Sequence, residues 1–139
     1  MWLSIKRFID SNIFIYVLSK DPRYSTRALS ILVDAEEGVY EAYTSTLVIS
    51  QVLAHLERRR RVNAMRRFLE YLNEGYIDII ETSYEDYKGS LLLAEEYGLD
   101  YTSLWDDLVI AFQMKRLGIS EIYSNDNDFD KIPGIRRSF

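Results

Sequence analysis

Short apolar runs alternate along this chain with stretches of helical periodicity, and few folds satisfy that alternation. Ile5 to Ile9, Val39 to Ser45, Tyr76 to Ile80 and Ile119 to Tyr123 have the length and composition of strands. Between them apolar residues recur three and four apart. Ala28, Leu29, Ile31, Leu32 and Ala35 form one such face, and Leu47, Val48, Val52, Leu53 and Leu56 a second. Ala64, Met65, Phe68, Leu69 and Leu72 form a third, and Leu91 to Ala94 and then Leu108, Ala111, Phe112 and Leu117 supply two more. Strands joined through helices pair in parallel, and a parallel sheet is covered on both faces. The order therefore predicts an α/β fold, a three-layer α/β/α sandwich around a mainly parallel sheet of four or five strands, the last a short one after Pro133 and Gly134. The chain has 139 residues and no repeat, linker or low-complexity stretch, so residues 1–139 read as one domain.

Polar residues at the element boundaries suggest how the helices begin. Ser11 or Asn12 suits the cap of a helix over Ile13 to Leu18, and Pro22 suits the first turn of the next. Thr44, Ser45 or Thr46 can cap the helix that carries Gln51 and His55. Ser83 with Asp86 resembles a capping box, and Ser103 with Asp106 repeats that spacing, which places Asp106 in the first turn of the last long helix.

The chain has no cysteine and a single histidine, His55. Disulfides, thiolate zinc sites, a thiol nucleophile and a histidine-rich metal site are thereby excluded. A bound metal has to be held by oxygen, which favours Mg2+ or Mn2+. No apolar run approaches the roughly 20 residues that span a bilayer. Met1 to Arg7 followed by Asp10 lacks the form of a signal peptide, so a cytoplasmic location away from membranes is expected. The net charge of −5 argues against indiscriminate nucleic-acid binding, yet Glu57 to Arg67 carries six arginines against one glutamate. That stretch reads as an RNA-facing surface, a partner-binding face or a solvated one.

Four acids stand where chemistry is expected in such a sheet, just beyond strand ends. Asp10 closes the first run and is followed by Ser11 and Asn12, which makes either a turn or a ligand set. Asp126 and Asp128 follow the fourth run, and Asp106 opens the helix that leads to it. If the first and fourth strands are neighbours, Asp10 and Asp126 emerge on one rim, with Asp106 above it. Carboxylates repel at close range, and a hard divalent cation is the usual reason for gathering them. Such a site suits phosphodiester hydrolysis, with Asn12 and Ser124 as supporting polar groups. Singly, each acid has a plainer reading: a strand-end turn at Asp10, compensation of the helix dipole at Asp106, a solvated turn over Asp126 to Asp130.

Taken together, Phe8-Ile9-Asp10-Ser11-Asn12, the helix opened by Asp106 and closed by Leu117-Gly118-Ile119, and Tyr123-Ser124-Asn125-Asp126-Asn127-Asp128-Phe129 resemble the PIN-domain family over essentially the whole chain. The resemblance implies a compact α/β/α domain with Mg2+- or Mn2+-dependent ribonuclease activity. It also implies the toxin of a VapBC-type pair, with an antitoxin partner and a homodimeric assembly. Under it Asp10, Asp106 and Asp126 match the metal-binding aspartates, Asp128 an additional acid, and Asn12 and Ser124 the supporting positions. Asp107 competes with Asp106; Asp106 is preferred because Leu108-Val109-Ile110-Ala111 follows with the family spacing.

One position departs from the pattern. Gln51 stands where the family usually has glutamate, and the amide keeps the shape while losing the charge. Glu57, six residues on, projects from another side of the helix. His55, one turn after Gln51, is either a hydrogen-bonded, half-buried group or a phosphate contact. Gln51 motivates a rival reading, a non-catalytic relative that binds RNA or protein. Phosphotransfer through Asp10 as a nucleophile is a third reading, but Asn12 stands where that chemistry would want a second aspartate.

Overall fold

The apolar runs become one five-stranded sheet in the computed structural model, which describes residues 4–139. Residues 1–3, part of the segment read for a leader, lie outside the described residues. The strands are β1 (Lys6–Ile9), β2 (Glu41–Ser45), β3 (Ile77–Ile80), β4 (Glu121–Tyr123) and β5 (Arg136–Ser138). They lie in the order β3-β2-β1-β4-β5, and every pairing is parallel. Phe8 on β1 faces Tyr43 on one side and Ile122 on the other, and Phe8 and Ile9 are wholly buried. The first three strands step outward from β1 in one direction, whereas β4 and β5 step the other way. The gap between the carboxyl ends of β1 and β4 is therefore the point where strand order reverses, the usual place for a site in such a sheet.

Helices cover both faces of this sheet and complete the α/β/α sandwich. On α1 (Ser11–Leu18) pack α2 (Ser25–Glu36), α3 (Thr46–Arg58) and α4 (Val62–Asn73). Phe14 and Phe68 anchor that group, their ring centroids 5.2 Å apart. In α2, Ala28, Ile31, Leu32 and Ala35 are buried as the periodicity predicts, but Leu29 is half-exposed. In α3 and α4 the buried residues are Val48, Val52 and Leu56 and then Ala64, Phe68 and Leu72, a strict spacing of four. A hairpin of α5 (Tyr84–Tyr97) and α6 (Tyr101–Arg116) supplies the rest. Among the described residues no helix is long and apolar enough to cross a membrane.

Several helix starts differ from the expected ones. Asp10, not Ser11 or Asn12, caps α1, its carboxylate accepting the Ser11 N–H. Pro22 stays in the preceding turn, and α2 begins only at Ser25. Ser45 caps α3, and the Ser83–Asp86 capping box is formed. The matching spacing at Ser103 and Asp106 caps nothing, because Asp100 takes the amide of Thr102 and starts α6 at Tyr101. Asp106 thus lies in the second turn, not the first.

Two features close the hairpin. Asp86, 1% exposed, accepts from the Arg116 guanidinium at 2.9 Å and from Gln113, so the start of α5 is tied to the end of α6. Gly89 meets the flat of the Phe112 ring where any side chain would overlap it. The buried residues of α5 are accordingly Asp86, Gly89, Ser90, Leu93 and Ala94, while Leu91 and Leu92, expected inside, are exposed. Gly89→Ala, which would otherwise gain helix propensity, is expected to destabilise by about 1–3 kcal/mol in urea unfolding. A further Phe112→Leu change should restore part of the loss.

Candidate metal centre

Asp10 follows β1 and is 4% exposed, and the hydrogen-bond donors to its side chain come from the start of α1 and from Ser124, just after β4. Its Oδ1 accepts the Ser11 N–H at 2.8 Å, and its Oδ2 accepts the Ser124 hydroxyl at 2.6 Å. That hydroxyl in turn accepts from the Asn12 amide at 3.2 Å and from the Asp126 N–H at 3.0 Å. Asn12 also takes the Asn125 N–H on its Oδ1, and Asn125 reaches the Tyr16 hydroxyl. The segment after β4 is thereby fastened to the segment after β1. Asp126 then caps a short 3-10 helix (Asn127–Lys131), accepting the Asp128 N–H at 3.0 Å, and fully buried Phe129 anchors it.

The acids meet above this clasp. Asp107, Asp126 and Asp128 each present a carboxylate oxygen within 4.8 Å of the others, a group able to hold a metal ion. Asp106, preferred from the sequence over Asp107, is not in that group. Successive helical residues point about 100° apart, so when Asp107 faces Asp126 its neighbour must face elsewhere. Asp106 turns to α3, where its Oδ2 accepts from the Gln51 amide at 3.1 Å, while its Oδ1 takes the Asp107 N–H. Gln51 therefore enters the site as a donor, and its buried Oε1 has no partner. Asp10 lies outside the group of three but close enough for Asp126 and Asp106 to act on its charge.

Burial and mutual repulsion dominate the electrostatics. Loss of water pushes the Asp107 carboxyl up to about 9, with Asp106, Asp126, Asp10 and Asp128 adding in the same direction. Burial likewise raises Asp10, to about 6, against the lowering effect of the Ser124 and Ser11 hydrogen bonds. Lys131, overlooked in the sequence, sits on this rim with its ammonium 2.9 Å from Asp128. Its signal was an acid and a base three residues apart in a stretch otherwise read as a polar turn. His55 is half-buried on α3 and bonded to Arg59 at 3.3 Å, and burial lowers its basicity.

Comparison with known proteins extends over this whole arrangement. The model of the PIN domain family matches residues 7–135. The structure is similar to that of VapBC2 from Rickettsia felis bound to a promoter DNA fragment, at 18% identity over 96% of this chain and 98% of that one, with a TM-score of 0.69. It is also similar to VapC20 from Mycobacterium tuberculosis, a sarcin–ricin-loop-cleaving toxin, at 15% identity over 89% and 92% of the two chains and a TM-score of 0.73. A toxin–antitoxin complex from Klebsiella pneumoniae gives 22%, 94%, 95% and 0.65 in the same order. At such identities the likeness is one of fold. No curated protein sequence matches the chain.

The raised Asp107 fixes the sign of a pH effect. Between about pH 4, where an unfolded aspartate has released its proton, and about pH 9, the folded chain keeps a proton on Asp107. Its contribution is greatest at low pH, and stability is lost as pH rises through that window. In EDTA at pH 8, Asp107→Asn should raise the unfolding free energy by on the order of 2 kcal/mol and flatten its fall between neutral and alkaline pH. Denaturant titrations at several pH values check this.

Proposed function

We propose that this chain, which belongs to the PIN domain family, is a divalent-metal-dependent endoribonuclease and the toxin of a toxin–antitoxin pair. The observation that carries the reading is the convergence of Asp107, Asp126 and Asp128 where strand order reverses. The donor set is all oxygen and acidic, with the orphaned Gln51 Oε1 buried nearby, which fits a hard cation such as Mg2+ or Mn2+. Asp107, Asp126 and Asp128 would hold it, with Asp10 and Asp106 adding to the negative field. Bound there, the cation supplies charge stabilisation at the attacked phosphate and eases loss of a proton from water.

The chain's own groups complete the assignment. Asp10, fixed by Ser124, Ser11 and Asn12 and raised to about 6, is poised to take up a proton near neutral pH. Lys131 presents a cation beside Asp128 toward an incoming phosphate. Gln51 holds Asp106 by its amide. VapC20 as a sarcin–ricin-loop-cleaving toxin supports RNA as the substrate. The VapBC and toxin–antitoxin complexes support an antitoxin partner. A homodimer, implied by the family resemblance, and a cytoplasmic site of action belong to the same reading.

A second reading has its own observation. Glutamine at position 51 removes one negative charge and occupies Asp106, as suits a relative that binds RNA or protein without cutting. Cleavage of a mixed RNA panel in Mn2+ separates the two. The native chain should cut, and Asp10→Asn, Asp107→Asn and Asp126→Asn should each lose more than about 100-fold. Asp106→Asn should lose far less, and Gln51→Glu should gain activity together with a larger Mn2+-induced rise in melting temperature. A native chain that is silent while Gln51→Glu cuts would establish the non-catalytic reading. Full activity in Asp126→Asn would overturn the site.

A further inference from the structure

Arg58, Arg59, Arg60, Arg61, Arg66 and Arg67 crowd the turn from α3 into α4, and all six are exposed. Among the described residues none of them forms an ion pair with a carboxylate. Elsewhere Arg7, Arg23, Arg116, Arg136 and Arg137 each bind one. The stretch 57–67 carries six arginines and one glutamate, a net +5, so the rest of the −5 chain carries −10. At this corner the basic charge is concentrated and, among the described residues, not balanced by a carboxylate.

The arginines also make a shape. Arg60, Arg61 and Arg67, with Asn63, line a surface basin of about 320 Å3 that has no carboxylate in its wall. Arg61 is pinned there by a bond from its guanidinium to the Leu18 carbonyl, at the end of α1. Three arginines lining one hollow suit an anion with several oxygens, as a phosphodiester is.

The position of the basin connects it with the acids. α1 begins at the Asp10 cap and ends at Leu18, where Arg61 attaches. α3 carries Gln51, bonded to Asp106, and reaches Arg58 seven residues later, about 10 Å along the axis. α1, which starts at the acidic rim, and α3, which touches it through Gln51, thus both finish at the arginine corner. We propose that this corner is a docking surface for the phosphodiester backbone of the RNA, holding the strand a short distance from the point of cleavage. This rests on the nuclease reading above and adds where the substrate is gripped. An acidic protein partner would satisfy the charge, but the shared helices favour the molecule that the acidic rim acts on.

Binding measured without cleavage tests it. A fluorescein-labelled single-stranded RNA is titrated in EDTA, between about 50 and 200 mM KCl, with the Asp126→Asn chain and with the same chain carrying Arg60→Gln, Arg61→Gln and Arg67→Gln. The triple change should weaken binding about tenfold or more and reduce the salt slope by about 0.7 for each phosphate no longer neutralised. The corresponding triple lysine chain, which keeps the charge, should retain most of the slope, and this separates electrostatic docking from a folding defect. Unchanged affinity and slope in the glutamine chain, or a lysine chain as weak as the glutamine one, would overturn the proposal. So would failure of RNA to bind while poly-glutamate binds through the same arginines. Arginine-dependent binding by a native chain that does not cut in Mn2+ would leave the docking surface standing and count against the nuclease reading instead.

Discussion

A carboxylate buried as deeply as Asp10 persists only where donors replace the water it has lost. The Ser11 N–H is supplied by the cap of α1, but the shortest bond comes from Ser124, more than a hundred residues away. That bond requires β4 to lie beside β1 with Ile9 opposite Tyr123, a register that the Asp10 N–H extends by donating to the Tyr123 carbonyl. Since Ser124 also receives the Asp126 N–H, the acidic turn is positioned by the same hydroxyl. The reversal of strand order, the burial of Asp10 and the direction of Asp126 are therefore one constraint seen from three sides.

Gathering Asp107, Asp126 and Asp128 costs repulsion that has to be offset by a proton, a cation or a neutral neighbour. Each device is visible. Asp107 favours its protonated form, Lys131 sits against Asp128, and Gln51 bonds Asp106 with an amide where the family usually has a glutamate. A glutamate at position 51 would face Asp106 as a like charge and would itself need a cation. The amide at position 51 instead donates to Asp106 without adding a negative charge beside the cluster.

Much of this was legible because it depends on pattern. The alternation of runs implied the parallel sheet, and the acids at the ends of β1 and β4 implied a shared rim. What escaped depends on tertiary competition. Ser103 and Asp106 have the spacing of a capping box as good as Ser83 and Asp86, but Asp100 lies one turn earlier and takes the amide first. With α6 started at Tyr101, the face toward the acidic turn belongs to Asp107, and nothing in the adjacent pair of aspartates says which way the helix is rotated. Leu91 to Ala94 all look like core in the sequence; with Gly89 set against Phe112, only Leu93 and Ala94 go inside, and Leu91 and Leu92 stay exposed. Lys131 escaped because a solvated turn and a charge-balanced rim have the same composition.

Under the proposed function, the separation of the acidic rim from the arginine corner has a logic. RNA, the proposed substrate, is a polyanion, and a rim of clustered aspartates without a cation would repel it. For that substrate the attraction would come from elsewhere on the molecule, and the exposed arginines lie where α1, which starts at the rim, and α3, which touches it through Gln51, come to an end. The two ends also respond differently to the medium. Exposed guanidinium groups are screened within about 8 Å at physiological ionic strength, whereas buried Asp10 and Asp107 are screened much less. On the proposed reading, salt would therefore act first on capture of the strand, and pH first on the acids that meet it.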